Sequence, residues 1–180
     1  VRGAVDASRP VLAGLSPDGP QSFYIRGSME TGEAVVVLLD MQRWLSWATD
    51  VDEPYAQLPR LVAIRNSLNE TAQYGRVASA RQRQFLISAA EQNTQLVPLA
   101  EFADEVRDSY DETFGLLEEI AVTLDHYVQT FESTSDYDLW YEISSEGMAT
   151  LVAQMSQMAV QYRERVGYMN RISDATQTQD

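Results

Sequence analysis

The sequence predicts an all-α protein: an elongated antiparallel bundle of four main helices, preceded by a short Pro/Gly-rich N-terminal segment. Three observations carry this. Apolar residues recur at steps of three and four through most of residues 33–173, the period of a helix with one buried stripe. Turn-forming residues gather at only a few points, so the connections are short, as an antiparallel bundle requires. No stretch alternates as a half-buried strand would. The one ambiguous run, Ala34–Leu39, belongs to a helical period that continues through Trp44 and Trp47.

The elements follow in order. Residues 1–32 contain Pro10, Pro17 and Pro20 together with Gly14, Gly19, Gly27 and Gly32, which predicts an irregular segment with a short helix around Ala4–Leu12. Residues 33–173 form the bundle. Its first helix, Glu33–Ala48, places Val35, Leu38, Leu39, Met41, Leu45 and Ala48 near one face. Trp44 and Trp47, three apart, are expected to pack the end of the bundle. Asp50–Pro54 is a turn, and Pro54 and Pro59 sit where first-turn prolines are tolerated. The second helix, Leu61–Glu91, is read from Leu61, Ile64, Leu68, Ala72, Val77, Ala80 and Phe85, with Gly75 loosening its middle. Asn93-Thr94 ends it. Pro98 or Leu99 opens the third, whose stripe runs through Leu99, Phe102, Val106, Tyr110, Phe114 or Leu117, Ile120, Leu124, Tyr127 and Phe131. A helix of about 33 residues is ~50 Å long. Ser133–Asp136 is a turn rich in capping residues. The fourth helix carries Trp140, Ile143, Met148, Leu151, Met155, Met158, Tyr162, Val166 and Met169, and residues 174–180 form a tail expected to fray.

Composition excludes more than it identifies. The chain has 180 residues, a net charge of −14, no Cys and one His, and its thirteen basic residues are all Arg. A strongly acidic surface repels polyphosphate, so nucleic acid is not an expected partner. Without Cys there is no disulfide framework, thiol chemistry or Cys-ligated metal. Without Lys there is no Schiff base and no lysine-dependent phosphate loop. His126 stands alone, and Thr123 occupies the place where a ferritin-type Glu-x-x-His step needs Glu. It reads as a structural residue, and no metal or other cofactor is expected. No Ser/His/acid arrangement can be assembled, so the chain is not expected to be an enzyme. The longest apolar run, Ala34–Leu39, is six residues, far below the ~20 that span a bilayer. A chain that opens on Val rather than Met reads as part of a longer protein.

Charge is segregated along the chain. Residues 60–90 carry Arg60, Arg65, Arg76, Arg81 and Arg83 against one acid, Glu70, whereas residues 99–146 carry fourteen acids against Arg107. Salt bridges between neighbouring helices account for part of this. The remainder points to an anion site, because the planar guanidinium fork binds two oxygens of one anion at once. Arg76 and Arg83 are seven apart and share a helix face; Arg81 points elsewhere.

The segment Val77-Ala78-Ser79-Ala80-Arg81-Gln82-Arg83-Gln84-Phe85-Leu86 is similar to a motif of the extracytoplasmic nitrate- and nitrite-sensing (NIT) domains and the related PilJ-type sensor domains of bacterial receptors. Residues 136–151, with Trp140, resemble the last segment of those domains, and residues 110–119 the helix before it. The resemblance covers about half of the chain. It implies an all-helical bundle between two membrane passes, with arginines clasping the anion: Arg83 and Arg81 from the helix motif, and Arg26, in Ile25-Arg26-Gly27-Ser28, from an early Glu-Arg-Gly-x-Ser motif. Gln82 and Ile25 depart from the expected Glu residues.

The expected function is therefore a ligand-binding sensor domain of a transmembrane signalling receptor, on the periplasmic or cell-surface side. It would recognise a small anion (nitrate, nitrite or a small carboxylate) through Arg83, Arg76, Arg81 and Arg26. Sensor bundles of this kind often form homodimers. The alternative is a structural or protein-interaction bundle whose acidic third helix faces a basic partner.

Overall fold

The computed structural model describes residues 19–47 and 51–177; the helix expected at Ala4–Leu12 lies outside them. Among the described residues there is no strand, and four long helices carry the chain: α1 (Pro20–Trp47), α3 (Leu58–Gln92), α5 (Ala103–Ser133) and α6 (Tyr137–Gln177). Two short helices, α2 (Asp52–Tyr55) and α4 (Val97–Glu101), lie in the connections, the second entered through a 3₁₀ turn at Thr94–Leu96.

Local chemistry explains the boundaries. Asn93 ends α3 in an extended conformation, and its side chain accepts from the Gln95 N–H. Pro98 then lies in the first turn of α4, where a missing N–H costs nothing. Asp136 caps α6: its carboxylate accepts from the N–H groups of Asp138 and Leu139. In the same turn Trp140 donates its indole N–H to the Thr134 carbonyl at 2.8 Å, so the capped turn and the core are tied together.

Three expectations change. The first long helix starts at Pro20, not Glu33. Proline fits a first turn, and Gly27 does not break the helix because it lies on the buried stripe Gly27, Thr31, Ala34, Leu38, Met41, Leu45. The third helix is split at Phe102, whose N–H turns back to the Ala100 carbonyl; the long part begins at Ala103, with Asp104 and Glu105 in the first turn, where the helix dipole favours acids. The last helix extends to Gln177, into the stretch expected to fray.

The chain divides into two compact units, and each long helix contributes to both. Unit 2 consists of Arg26–Glu70 and Leu116–Met158. Its core is mainly apolar: Leu38, Met41, Leu45, Leu61, Leu68, Leu117, Ile120, Leu124, Phe131, Trp140 and Leu151 are all but completely buried. Neighbouring helices run antiparallel here. Asp40 and Glu30 of α1 meet Arg60 and Ser67 of α3, and Gln42 of α1 donates to Ser145 of α6 at 2.6 Å. The rings of Phe131 and Trp140 lie 4.6 Å apart, and Arg65 of α3 pairs with Asp125 of α5 at 2.5 Å. Trp44 and Trp47 do not pack this core. They are 45% and 87% exposed, because the buried stripe at Met41 and Leu45 turns them outward.

Unit 1 consists of Thr71–Gly115 with residues 19–25 and 159–177 of the described chain. Its core is built from small and polar residues. On α3 the buried positions are Thr71, Ala72, Gly75, Ala78, Ser79 and Leu86. Val77 and Phe85, expected inside, are exposed. The helix is rotated by about one residue from the expected face because Phe114 of α5 lies directly over Gly75, leaving no room there for a side chain.

Gly75 and Gly167 therefore give opposite outcomes on substitution. Gly75→Ala drives a methyl into the Phe114 ring, and overpacking of about 1–3 kcal/mol exceeds the ~1 kcal/mol gained in helix propensity. Gly167→Ala meets nothing within 4 Å and gains that propensity alone. Chemical denaturation should show the first variant less stable than wild type and the second more stable.

Candidate functional site

The buried stripe of α6 advances by sevens through Ser144, Leu151, Met158 and Arg165, none more than 3% exposed. The repeat therefore places a guanidinium where an apolar side chain belongs. Gln161, one turn earlier, is buried beside it, whereas Tyr162 and Val166, expected in the core, lie toward solvent. Met148 and Met155 are half-buried and Met158 is buried; the Met169 side chain lies outside what is described.

Three helices supply the surroundings of Arg165, all within unit 1. From α5, Thr113 Oγ1 accepts from Arg165 Nη1 at 2.5 Å, and Ser109 offers its carbonyl and hydroxyl oxygens at 3.4 Å. The Thr113 hydroxyl in turn donates to Gln161 Oε1 at 2.8 Å. The rings of Tyr24 (α1) and Tyr110 (α5) lie 4.6 and 4.7 Å from the guanidinium carbon, cation–π contacts that gain strength when desolvated. Tyr24 also stacks on Tyr162 with centroids 5.5 Å apart and planes 8° from parallel. Tyr110 donates its hydroxyl to Gln21 Oε1 at 3.1 Å. The arginine is thus fixed in position by one edge and by the aromatic faces.

The other edge is unmatched. Arg165 Nε and Nη2 are buried and have no hydrogen-bond partner, and among the described residues no carboxylate is paired with the group. A buried charge without a counter-ion is expensive, and buried donors are almost always satisfied. Burial lowers the Arg165 pKa, opposed by Tyr110, Tyr24, Tyr162 and Glu164. Burial likewise pushes the Tyr110 phenol up to about 12, opposed by the Arg165 charge. Ser79 Oγ on α3 is also buried and unpaired, at a level bracketed by the Gly75–Phe114 and Arg83–Asp104 contacts between α3 and α5.

The four arginines singled out from the sequence lie elsewhere. Arg83 pairs with Asp104 of α5, so an anion there would have to displace a carboxylate. Arg81 is exposed. Arg76 reaches along Gly115 and, like Arg26, is engaged in an interaction of its own. Arg26 falls in unit 2 and the other three in unit 1. His126 is exposed on α5. No group of three His, Asp or Glu side chains among the described residues could hold a metal ion, and no described helix is long and apolar enough to cross a membrane.

Arg165, Thr113, Ser109, Gln161 and Tyr24 were not singled out from the sequence as site residues. One signal was present: continuing the step from Leu151 to Met158 by seven lands on Arg165. The apolar Tyr162 and Val166 masked it. No family model matches this chain, and neither does any curated protein or solved structure.

The Tyr110 shift has a measurable consequence. An unfolded tyrosine ionises near 10.0 and Tyr110 in the fold only near 12, so the fold keeps the proton the longer. The stability linked to this group is complete below pH 10 and is lost as pH rises toward 12. Relative to Tyr110→Phe, wild type should lose about 2–3 kcal/mol across that window, read by denaturant unfolding at stepped pH.

Proposed function

We propose that this chain is the ligand-binding domain of a transmembrane signalling receptor. It would recognise a small anion (nitrate, nitrite or a small carboxylate) between its helices on the extracytoplasmic side and carry out no chemistry. One observation carries the reading: the Nε and Nη2 donors of Arg165 are buried and without a partner, so the core holds a cation that an external anion would complete. The resemblance to the NIT and PilJ-type sensor domains agrees in architecture. Its anion-clasping residues, Arg83, Arg81 and Arg26, are replaced in this proposal by Arg165.

The mechanism follows from where the groups are anchored. Arg165 is on α6, its hydroxyl acceptors are on α5 and one of its stacking rings is on α1. An anion seated among them favours the helix arrangement that brings these groups closest, and a ligand shifts a conformational equilibrium only by its difference in affinity for the two states. An offset of α6 along its axis is the natural output, and small shifts of packed helices are a common form of such switching. The membrane spans that would flank the domain in the receptor are part of the same proposal.

A second reading, a non-enzymatic interaction bundle, draws on α1. Ile25, Met29, Val36 and Trp47 are exposed and fall on one helical face at their spacing.

Calorimetric titration with nitrate, nitrite, formate and acetate separates the two. The sensor reading expects saturable binding of at least one of these, lost in Arg165→Met and retained in Arg83→Ala. Arg165→Met should remain folded and melt at or above the wild-type temperature, because replacing buried ionic groups with apolar residues of similar volume is often neutral or stabilising. Absence of binding by all four anions would overturn the sensor reading and leave the interaction bundle.

A further inference from the structure

The outward face of α1 and α6 in unit 2 stands apart from the Arg165 layer. On α1, Met29, Val36 and Arg43 recur by sevens and are all exposed, with Trp47 one turn beyond. On α6, Glu142, Ala149 and Ser156 recur by sevens and are exposed as well. A step of seven is close to two full turns, so each set forms a line along its helix. One line ends in Arg and is otherwise large and apolar. The other ends in Glu and is otherwise small. Ser156 donates its hydroxyl to the Val152 carbonyl of its own helix at 3.0 Å, which leaves mainly hydrocarbon on the surface there.

The face carries little charge. Gly147–Met158 of α6 contains no Asp, Glu or Arg, in a chain of net charge −14. On α1, Asp40 turns toward Arg60 of α3, and Glu33, seven residues earlier, shares that side. The size is that of an interface. Met29 to Trp47 spans about 27 Å, and two packed helices are about 20 Å wide. The product, on the order of 500 Å² from each partner, reaches the lower range of specific association.

Charge and shape select the occupant. A basic partner would be drawn to the acids of α5 rather than here. Two copies of so acidic a chain repel each other unless they meet where acids are sparse. The two lines also fit one another. Leu38 of α1 lies over Gly147 of α6, and Met155 over Gly32. The same antiparallel register sets Met29 level with Ser156, Val36 with Ala149 and Arg43 with Glu142. Within one copy both lines face solvent. A two-fold axis along the helices brings each line against the other line of a second copy and closes the assembly. Large side chains then lie over small ones, and Arg43 meets Glu142 at the end of the contact. We propose, independently of the anion reading, that this face is a homodimer interface in which α1 of each copy packs on α6 of the other.

Sedimentation velocity over a concentration series tests this directly. Wild type should dimerise. Val36→Glu and Ala149→Glu should each raise the dimer Kd at least about tenfold, because each would bury an unpaired carboxylate. Both positions are exposed in the single copy, so circular dichroism should show the helical content unchanged. Arg43→Glu should weaken association, and adding Glu142→Arg should recover it. Because the chain has no cysteine, a second measurement needs no charged variant. Val36→Cys and Ala149→Cys copies, mixed and oxidised, should cross-link in excess of either variant alone. A wild-type chain that stays monomeric overturns the proposal, even if a protein of different sequence occupies the face. So does a dimer that both Glu variants leave intact. Failure of the charge swap to recover association, or of the mixed Cys copies to cross-link in excess, overturns the register and with it the pairing of α1 on α6.

Discussion

Helix α5 is the wall on which the other long helices are built. Its stripe from Val106 to Phe131 is buried almost without interruption, and it touches all three partners. Leu117 closes against Gly27 of α1, Phe114 against Gly75 of α3, and Tyr127 and Phe131 against Thr150 and Trp140 of α6. Each large residue of α5 needs a small one or a matching ring opposite it. That requirement sets the rotation of α3 and explains the burial of glycines on helices where propensity alone would disfavour them. Polar ties from the same helix (Asp125 to Arg65, Asp104 to Arg83) fix α3 at the rim.

The two units use this wall differently. In unit 2 the wall faces Leu, Met and Trp, and the buried surface is nearly all hydrocarbon, the usual source of folding free energy. In unit 1 it faces Ser, Thr, Gln and Arg. A polar layer of this kind adds little to stability even when satisfied, and with two guanidinium donors unmatched it subtracts from it. Such a layer is the kind of feature in which local rules give way to function. The aromatic contacts from Tyr24 and Tyr110 and the Thr113 hydroxyl offset part of the desolvation and hold the guanidinium in one orientation. Under the proposed function, a cation held in this way would be a preorganised binding group, because little side-chain entropy would remain to be lost when a ligand arrives.

How much of this could be read from the sequence depends on which force decides each position. The all-α class, the buried stripe of α5 and the capped turn before α6 were legible, because periodicity and capping are local. Residues 20–32 were not: Pro20, Gly27 and Gly32 signal breaks in isolation, but Gly27 is present for its contact with Leu117, which is far away in sequence. The face of α3 was misplaced for the same reason, since Val77 and Phe85 look like core residues until Phe114 occupies the space over Gly75. Trp44 and Trp47 were assigned by hydrophobicity, whereas helix phase turns them out. The segregated charges were read correctly as a reason for α3–α5 ion pairs, and those pairs occupy Arg65 and Arg83. The arginine with unmatched donors was passed over because Tyr162 and Val166 were taken as the buried face of α6 in its place.

The proposed anion site would lie inside a strongly acidic protein. A surface arginine on a chain of net charge −14 is surrounded by competing carboxylates, and Arg83 and Arg65 each hold one. Solvent screening also weakens any ligand bound there. Burial removes both problems. Carboxylates of the chain seldom enter a core because each carries its own desolvation cost. Inside, the attraction between guanidinium and ligand is screened far less than in water. Arg60, Arg65, Arg83 and Arg107 are paired with the protein's own carboxylates, whereas the buried Arg165, placed on the heptad line of α6 among hydroxyls and rings, keeps an unmatched edge that the proposed anion would fill.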